Sequence, residues 1–564
     1  MSHLGGNSFF SGNNKNRLFE LVHALGSRTF FVIVIGLVFT SVLELANVYF
    51  IYSIFEVINF KKNSVDLSIS SLFFISVEFS FFLKIFSGFI FIYFLSVFFS
   101  AFIVSRYSYS AASRLSTHIL EVKLNSSEML QNIPSSHLVS LCLNDAQRVG
   151  SGIILSALNI LSRSSIIILI ALFLFFLNGY LASVAFVVLV VIYGGGYLFM
   201  RPLLNDLGSN ISSTFQERSR LLGFASSAFR SEVIGHRRDA LITEFSKQTK
   251  VWSAANVWIA TISVVPRACV ELGILVICLG LGVYFWSNAD SSEASFEHYI
   301  PQLAAFGVAF MRIYPSFQQL FANLVNFKAS IIALENIAVA LERSAAQKKV
   351  LYWKLPVLEV LPPDVILECK NMQVELGHSH TIKCPDFTLK KNSVIVLRGP
   401  SGVGKSTIID SILGLRPTQY GYANWTENLN GKIQFIASEP FFFGSHLEQE
   451  MKWRGISRHQ GFDSKFEELW KDFGLSNDLL PSCSHCTLYF ASLSRGERQR
   501  VSIILSILQS PRVLVLDEAL SGCGADLEVS IVDKVLLLGV SMLVVSHSRH
   551  IAEKFPCVQI TDSR

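Results

Sequence analysis

The sequence predicts a multidomain membrane protein: an all-α six-helix transmembrane domain, followed by an α/β domain built on a phosphate-binding loop. Three observations carry this expectation. Hydrophobic residues make up 51% of the 564-residue chain and charged residues only 16%, a balance unlike that of soluble domains. The apolar residues gather in roughly the first 330 positions, in runs of about 20 or more, long enough to cross the hydrocarbon core of a bilayer. Further on, a G-x-x-x-x-G-K-S stretch from Gly399 to Ser406 stands between a β-like run and a helix-like run. The expected layout is an N-terminal segment over residues 1–27, the six-span domain over 28–330, a linker over 331–364 and the α/β domain over 365–564.

Six apolar runs read as spans. The first begins near Thr29, and the second, from about Ser71, is rich in phenylalanine. The third (SGIILSALNILSRSSIIILIALFLFFL) and fourth (YLASVAFVVLVVIYGGGYLFM) form a pair joined at Asn178–Gly179; the fifth starts at Cys269 and the sixth at Tyr299. Basic residues orient them. Lys15, Arg17 and Arg28 precede the first span, Arg218, Arg220, Arg230, Arg237, Arg238, Lys247 and Lys250 lie between the fourth and fifth, and acidic Asp290, Glu293 and Glu297 lie before the sixth. By the positive-inside bias, both termini and both long connections are cytoplasmic. The polar N-terminus and the length of the first apolar run predict a membrane span there and no cleaved signal peptide.

The long connections, 104–150 and 203–266, keep helical periodicity up to the spans. Each is expected to be a helical hairpin prolonging two membrane helices, reaching roughly 35–45 Å into the cytosol at ~1.5 Å per residue. Stalks of that length imply something to grip below the membrane. Charges inside spans are costly, and Glu44, Glu78, Lys84, Arg163, Glu271 and Arg312 fall there. The plainer reading pairs them with one another or places them near an interface; the functional one has Glu271 and Arg312 lining a central cavity. Gly194–Gly196 and Pro315 mark places for close packing or a bend. A formal net charge of +5 is too small for a nucleic-acid partner. The nine cysteines are scattered, and Cys483–Cys486 lacks a second pair with zinc spacing, so they read as free cytosolic thiols.

In the C-terminal part, SVIVLR precedes the glycine loop and TIIDSILGL follows it, the strand–loop–helix context of a P-loop NTPase. There the loop Gly399-Pro400-Ser401-Gly402-Val403-Gly404-Lys405-Ser406-Thr407 cradles phosphates with backbone N–H groups at a helix N-terminus. Lys405 reaches the β- and γ-phosphates, and Ser406 offers its hydroxyl to Mg²⁺. ATP or GTP is the expected ligand. A second strand, RVLVLDEAL, puts Asp517 at its C-terminal end to hold Mg²⁺ through water, with Glu518 to polarise the attacking water. A third, SMLVVSH, delivers His547 to the same edge. A lone histidine after a strand is more often structural; three motifs in register argue for contact with the γ-phosphate.

These elements together resemble the nucleotide-binding domain of the ABC transporter superfamily: phosphate loop, the signature stretch LSRGERQRVSIILSIL, the LVLDEA strand and the histidine strand. Six spans before one such domain resemble a half-size exporter of the type IV transmembrane fold, and SSHLVSLCLNDAQRV is similar to that family's segment after the first coupling region. The resemblance implies ATP and Mg²⁺ as ligands, and a dimer in which each ATP lies between one chain's phosphate loop and the other's signature. It implies a multi-pass protein of the plasma (cell inner) membrane, with a cytoplasmic nucleotide domain, exporting a substrate or flipping a lipid-linked one.

The departures from the family pattern matter equally. Where the family has Leu-Ser-Gly-Gly-Gln, this chain has Leu493, Ser494, Arg495, Gly496 and Glu497. The glutamine that would help hold Mg²⁺ falls at Ser438, the adenine-stacking aromatic at Leu376, and the aspartate after the DEA strand at Gly524. The chain's own Lys405, Asp517, Glu518 and His547 look complete while what it offers a partner looks weakened. That asymmetry favours a heterodimer over a homodimer with two slow sites. An alternative function is an ATP-gated or regulatory membrane protein with vestigial turnover, against which intact Glu518 argues. If the chain self-associates, Arg495→Gly is expected to raise the ATPase rate of the purified protein; an unchanged rate would show that this signature serves no hydrolysis.

Overall fold

The computed structural model describes residues 27–60, 64–70, 73–126, 135–177, 179–227, 238–287, 300–346, 357, 361–376, 380–426, 429, 431–458, 462–476 and 488–562. Lys15, Arg17, Arg230, Arg237, the acidic loop with Asp290, Glu293 and Glu297, the Cys483–Cys486 pair and the Leu376 side chain lie outside the described residues. The chain divides into two compact units, Met1–Lys349 and Val350–Arg564.

The first unit is built of long helices: α1 (Ser27–Phe60), α2 (Phe79–Leu124), a helical run α3 over residues 135–177, α4 (Gly179–Ser227), α5 (Arg238–Ser287) and α6 (Ile300–Ala346). Among the described residues, four stretches are long and apolar enough to cross a membrane: Thr29–Ile54, Ser80–Leu124, Ser135–Phe176 and Ala309–Ser344. In α2 only 6% of the most apolar window is buried. Phe81, Phe91, Phe94, Phe98 and Phe102 all stand exposed, an apolar surface suited to hydrocarbon and not to water.

The second predicted span starts later than the apolar run suggests. Ser64–Ser70 (β1) and Phe73–Glu78 (β2) pair as antiparallel strands, with Ser64 opposite Glu78, and the helix begins at Phe79. SVDLSIS alternates polar and apolar residues with the period of a strand, a signal that averaged hydropathy hides.

Two π-helical turns, Ser140–Asp145 and Val149–Ile154, flank Arg148 in α3. The Arg148 guanidinium donates to the Gly208 carbonyl of α4, the Ser212 hydroxyl and the Ala329 carbonyl of α6. Asp145 accepts from Ser212 (3.2 Å), Asn336 (3.4 Å) and Asn144 (2.9 Å). One buried ionic cluster thus joins three helices. Close backbone approach makes this possible: a Cβ built on Gly208 would overlap the Ala329 carbonyl, and one on Gly152 the Ser330 hydroxyl. At Gly194 and Gly195 a Cβ would meet nothing within 4 Å, so these two make no such close approach within the chain. Pro315 stands inside α6, and Pro202, which the sequence reading passed over, stands inside α4.

In the second unit a parallel sheet of five strands has the order β11-β6-β10-β9-β8, formed by Cys557–Gln559, Val394–Arg398, Ser541–Val545, Val513–Asp517 and Ile433–Ile436. Strict alternation along each central strand feeds two cores. Val394, Val396, Leu514, Leu516, Met542 and Val544 face one; Ile395, Leu397, Val513, Val515, Leu543 and Val545 face the other. A second, antiparallel sheet is built on β3 (Val365–Leu376), which pairs with β4 (His380–Lys383), β5 (Phe387–Lys390) and β7 (Tyr420–Trp425). The helical unit and this α/β unit match the fold class that the sequence predicts.

Gly208→Val is expected to lower the thermal stability of the purified protein by about 1–3 kcal/mol through overpacking, whereas Gly194→Val should change it little. Equal effects, read by thermal unfolding in one detergent, would deny the close approach of α4 and α6.

Candidate functional site

The parallel ladder brings the predicted residues to one edge. Val545 of β10 lies opposite Leu397 of β6 on one side and Asp517 of β9 on the other, so the three strands end at one level. After β6 comes the glycine loop and then a helix, α7 (Lys405–Ile412). Gly402 and Gly404 have φ of 81° and 96°, in the left-handed region that favours glycine. At Gly399 the need is space, because a Cβ would come 2.8 Å from the Ile560 carbonyl oxygen.

Lys405 is buried, and its ammonium donates to the carbonyls of Gly399 and Pro400, each at 3.1 Å. The same Nζ is 3.1 Å from His547 Nε2 and 3.9 Å from Glu518 Oε1. Glu518 and His547 are themselves 3.1 Å apart. Glu518 has φ 54°, an uncommon conformation for a residue with a side chain, and its N–H donates to the Val545 carbonyl at 3.1 Å. Asp517 bonds to the Ser406 side chain; burial pushes its carboxyl above the usual range, and the neighbouring Glu518 charge adds to this. Burial also raises Asp410, which feels the charge of Asp517. The Asp517 carboxyl joined to the Ser406 hydroxyl supplies hard oxygen donors that a divalent cation such as Mg²⁺ fits.

The signature residues open helix α10 (Arg495–Ile507), after α8 (Leu447–Trp453) and α9 (Phe462–Asp472). Leu493 is buried in the core. Ser494 is the N-cap and Glu497 the third residue of a capping box: Glu497 N–H donates to Ser494 Oγ at 3.3 Å, and Ser494 N–H to Glu497 Oε2 at 2.8 Å. Hydrogen bonds from the Ser494 hydroxyl and N–H hold the Glu497 carboxyl below its usual range. In this chain Glu497 therefore caps its own helix. Arg495 is exposed at the first helical position, and Gly496 is pressed against Gly522, whose carbonyl oxygen a Cβ would meet at 2.5 Å. Gly524 caps the following helix, α11 (Ala525–Leu537), without a side-chain bond.

The sequence reading missed Gln499. It is fully buried, and its Nε2 donates to the Ser438 carbonyl (2.6 Å) and the Ser521 hydroxyl (3.4 Å), while its Oε1 accepts from Gly522 N–H (3.0 Å). One amide thus ties the signature helix to the Ser438 segment and to the loop after Glu518. A glutamine on the inner face of a helix otherwise packed with Val501, Ile503 and Ile504 was the available signal.

Residues 382–521 match the family model described as ABC transporter. The chain carries an ABC transporter domain. Part of it is similar to the aliphatic sulfonates import ATP-binding protein SsuB 1 of Pseudomonas savastanoi pv. phaseolicola, 29% identical over 175 residues, which are 29% of this chain and 65% of that protein. The zinc import ATP-binding protein ZnuC of Photobacterium profundum is 26% identical over 195 residues, covering 33% of this chain and 70% of its own. The match thus spans just under two thirds of the sulfonate relative. Among solved structures, a bacterial Atm1-family ABC exporter with ATP bound superposes with a TM-score of 0.70 at 13% identity, over 92% of this chain and 91% of that one. At that identity the fold is what the two share, and the superposition covers far more of this chain than the 29% and 33% that the two import proteins match.

Gln499→Leu keeps the side-chain volume and strips the ABC domain of this tie. It is expected to cost about 1–3 kcal/mol by orphaning the Gly522 N–H and the Ser438 carbonyl. Unfolding at the wild-type temperature would show that Gln499 holds nothing.

Proposed function

We propose that the chain is an ATP-driven transporter, exporting or flipping a substrate across the membrane in which its helical unit sits. Its nucleotide unit would lie on the cytoplasmic side, and ATP would be bound and hydrolysed at composite sites of a dimer. One observation carries this reading: Lys405, Glu518 and His547 meet within 3.9 Å at the edge where the phosphate loop and two further parallel strands end. The exporter fold supports the direction; the import relatives, which match about a third of the chain and are ATP-binding proteins by name, speak for ATP chemistry.

In this mechanism the N–H groups of the loop from Gly399 to Thr407 surround the phosphates, and Lys405 exchanges two loop carbonyls for phosphate oxygens, a change of partners and not of burial. Glu518 then orients and polarises the attacking water, accepting its proton in the transition state. His547, already beside Glu518, fixes that carboxylate and contacts the γ-phosphate. Ser406, Asp517 and Ser438 are the residues that would hold Mg²⁺, which when bound neutralises charge developing on the phosphates. Leu376 would give the base an apolar contact in place of stacking.

A second chain would close each site with its signature. Here Ser494 and Glu497 cap their own helix, and Arg495 puts a cation and a long side chain at the helix N-terminus. This favours a heterodimer, in which an intact signature on a different chain completes the hydrolytic site.

Glu518→Gln in lipid nanodiscs is expected to bind ATP normally and to lose turnover by about 10²-fold or more, the scale of a lost general base; Lys405→Ala should lose nucleotide binding. Undiminished hydrolysis by Glu518→Gln would overturn the assignment. ATP binding without turnover by the unmodified chain alone would point to the partner chain.

A further inference from the structure

Four of the membrane helices meet in a polar cluster. Glu44 of α1 is buried, and its Oε1 accepts from the Tyr93 hydroxyl of α2 at 3.1 Å and lies 3.9 Å from the Arg163 guanidinium of α3. The Arg312 guanidinium of α6 donates to the same Tyr93 hydroxyl at 3.4 Å and lies over the tyrosine ring, 5.8 Å from its centroid. Among the described residues Arg312 makes no ion pair. One carboxylate therefore serves two guanidinium groups.

These residues share a level. Each stands about 12–16 residues from the end of its helix at Phe60, Phe79, Leu177 or Ile300, roughly 18–24 Å at ~1.5 Å per residue, well inside a ~30 Å hydrocarbon layer. Near that level Glu271 of α5 pairs with Arg267 at 2.8 Å and accepts from Tyr314 at 2.8 Å. That pair is balanced, so it leaves the positive excess at Arg163 and Arg312 intact. An uncompensated guanidinium among apolar helices is costly. Exposure shows where compensation would enter: the Glu44 side chain is 11% exposed and Arg163 30%, so the cations are reachable while the carboxylate is enclosed.

We infer that Arg163 and Arg312, held by Glu44 and Tyr93, form a binding site for an anionic group, a phosphate, sulfonate or carboxylate, on the molecule this protein moves. The cluster takes one further negative charge to reach neutrality, and guanidinium groups bind such oxyanions through paired N–H donors. Glu44 then acts as a positioning residue, orienting Arg163 and, through Tyr93, Arg312. The inference rests on the transporter reading for the word moves; the site itself does not need it.

The test is equilibrium binding to the full-length chain in phosphatidylcholine nanodiscs without nucleotide, titrating decyl phosphate and decyltrimethylammonium and reading tryptophan fluorescence. Decyl phosphate is expected to bind about tenfold tighter or better, and Arg312→Gln to weaken it about tenfold while Arg312→Lys restores most of it, as loss of one charge partner in a partly buried pair predicts. Equal affinity for the two probes in the unmodified protein, or an Arg312→Gln chain that binds decyl phosphate undiminished, would overturn the site. The first comparison needs no variant, so a misfolded variant leaves it decisive. Replacing a third of the lipid by phosphatidylglycerol separates the sources: competition with decyl phosphate that Arg312→Gln abolishes supports a lipid headgroup, and binding of phenyl phosphate from water without such competition supports a soluble anion. Because no nucleotide is present, an unmodified chain that binds decyl phosphate selectively but hydrolyses no ATP would count against the transport reading alone.

Discussion

Hydrogen bonding in a parallel ladder fixes the level at which neighbouring strands end, and the nucleotide unit depends on that constraint. With Leu397, Val545 and Asp517 on one level, the residues that follow each strand have no choice but to meet. The glycine loop, Glu518 and His547 are successors of three different strands, separated by up to about 140 positions in sequence, yet His547 is one strand spacing of ~4.8 Å from each of the other two in the sheet. The apolar alternation that drives β6, β9 and β10 into two cores is therefore also what aligns the chemistry. A slip of one residue in any of these strands would exchange the side chains it sends to the two cores and withdraw its site residue.

Glu518 shows how firmly that edge is held. Its left-handed backbone costs on the order of 1–3 kcal/mol, and it is kept by the N–H bond to Val545 and by the side-chain contact with His547. The loop beyond it is anchored from the other side, where Gln499 accepts from Gly522 and Gly496 lies against the same glycine. The strained residue thus sits between a strand and a helix that are both deep in the core. Helix α10 is coupled to the loop after Glu518 within one chain through one amide and one glycine contact.

Much of this was legible in the residues themselves. Lys405, Asp517, Glu518 and His547 could be found because each follows a short apolar strand, and strand alternation survives in one dimension. Gln499 was harder to find: its place on an apolar helix face is a faint signal, and its meaning lies in three partners, all more than twenty positions away. Ser494-x-x-Glu497 is readable as a capping box, yet position in the family pattern suggested a different use for the same side chains. The paired strands Ser64–Ser70 and Phe73–Glu78 were lost inside an apolar run because averaging hydropathy over a window erases a period of two. In the helical unit the sequence named Glu44, Arg163 and Arg312 as costly charges, but Tyr93, whose hydroxyl joins Glu44 to an Arg312 that lies 219 positions beyond it, carries no charge to draw attention.

The signature position shows why a departure from a family pattern is best weighed by local electrostatics. A helix N-terminus attracts anions through its free N–H groups and dipole, and in α10 those N–H groups are partly taken by Ser494 and Glu497 of the same chain. A cation at Arg495 opposes the dipole in the isolated helix, which destabilises its first turn slightly. Against a phosphate the sign reverses: the cation attracts, while its length keeps the phosphate from the bare N–H groups that a glycine would uncover. Charge is thus retained where close approach is lost. Binding an anion there needs only the first, whereas stabilising an in-line transition state needs both, because preorganised donors act at hydrogen-bond distance. In the proposed dimer the two roles that glycine would join at this position are therefore expected to come apart, the signature holding nucleotide better than it helps to cleave it.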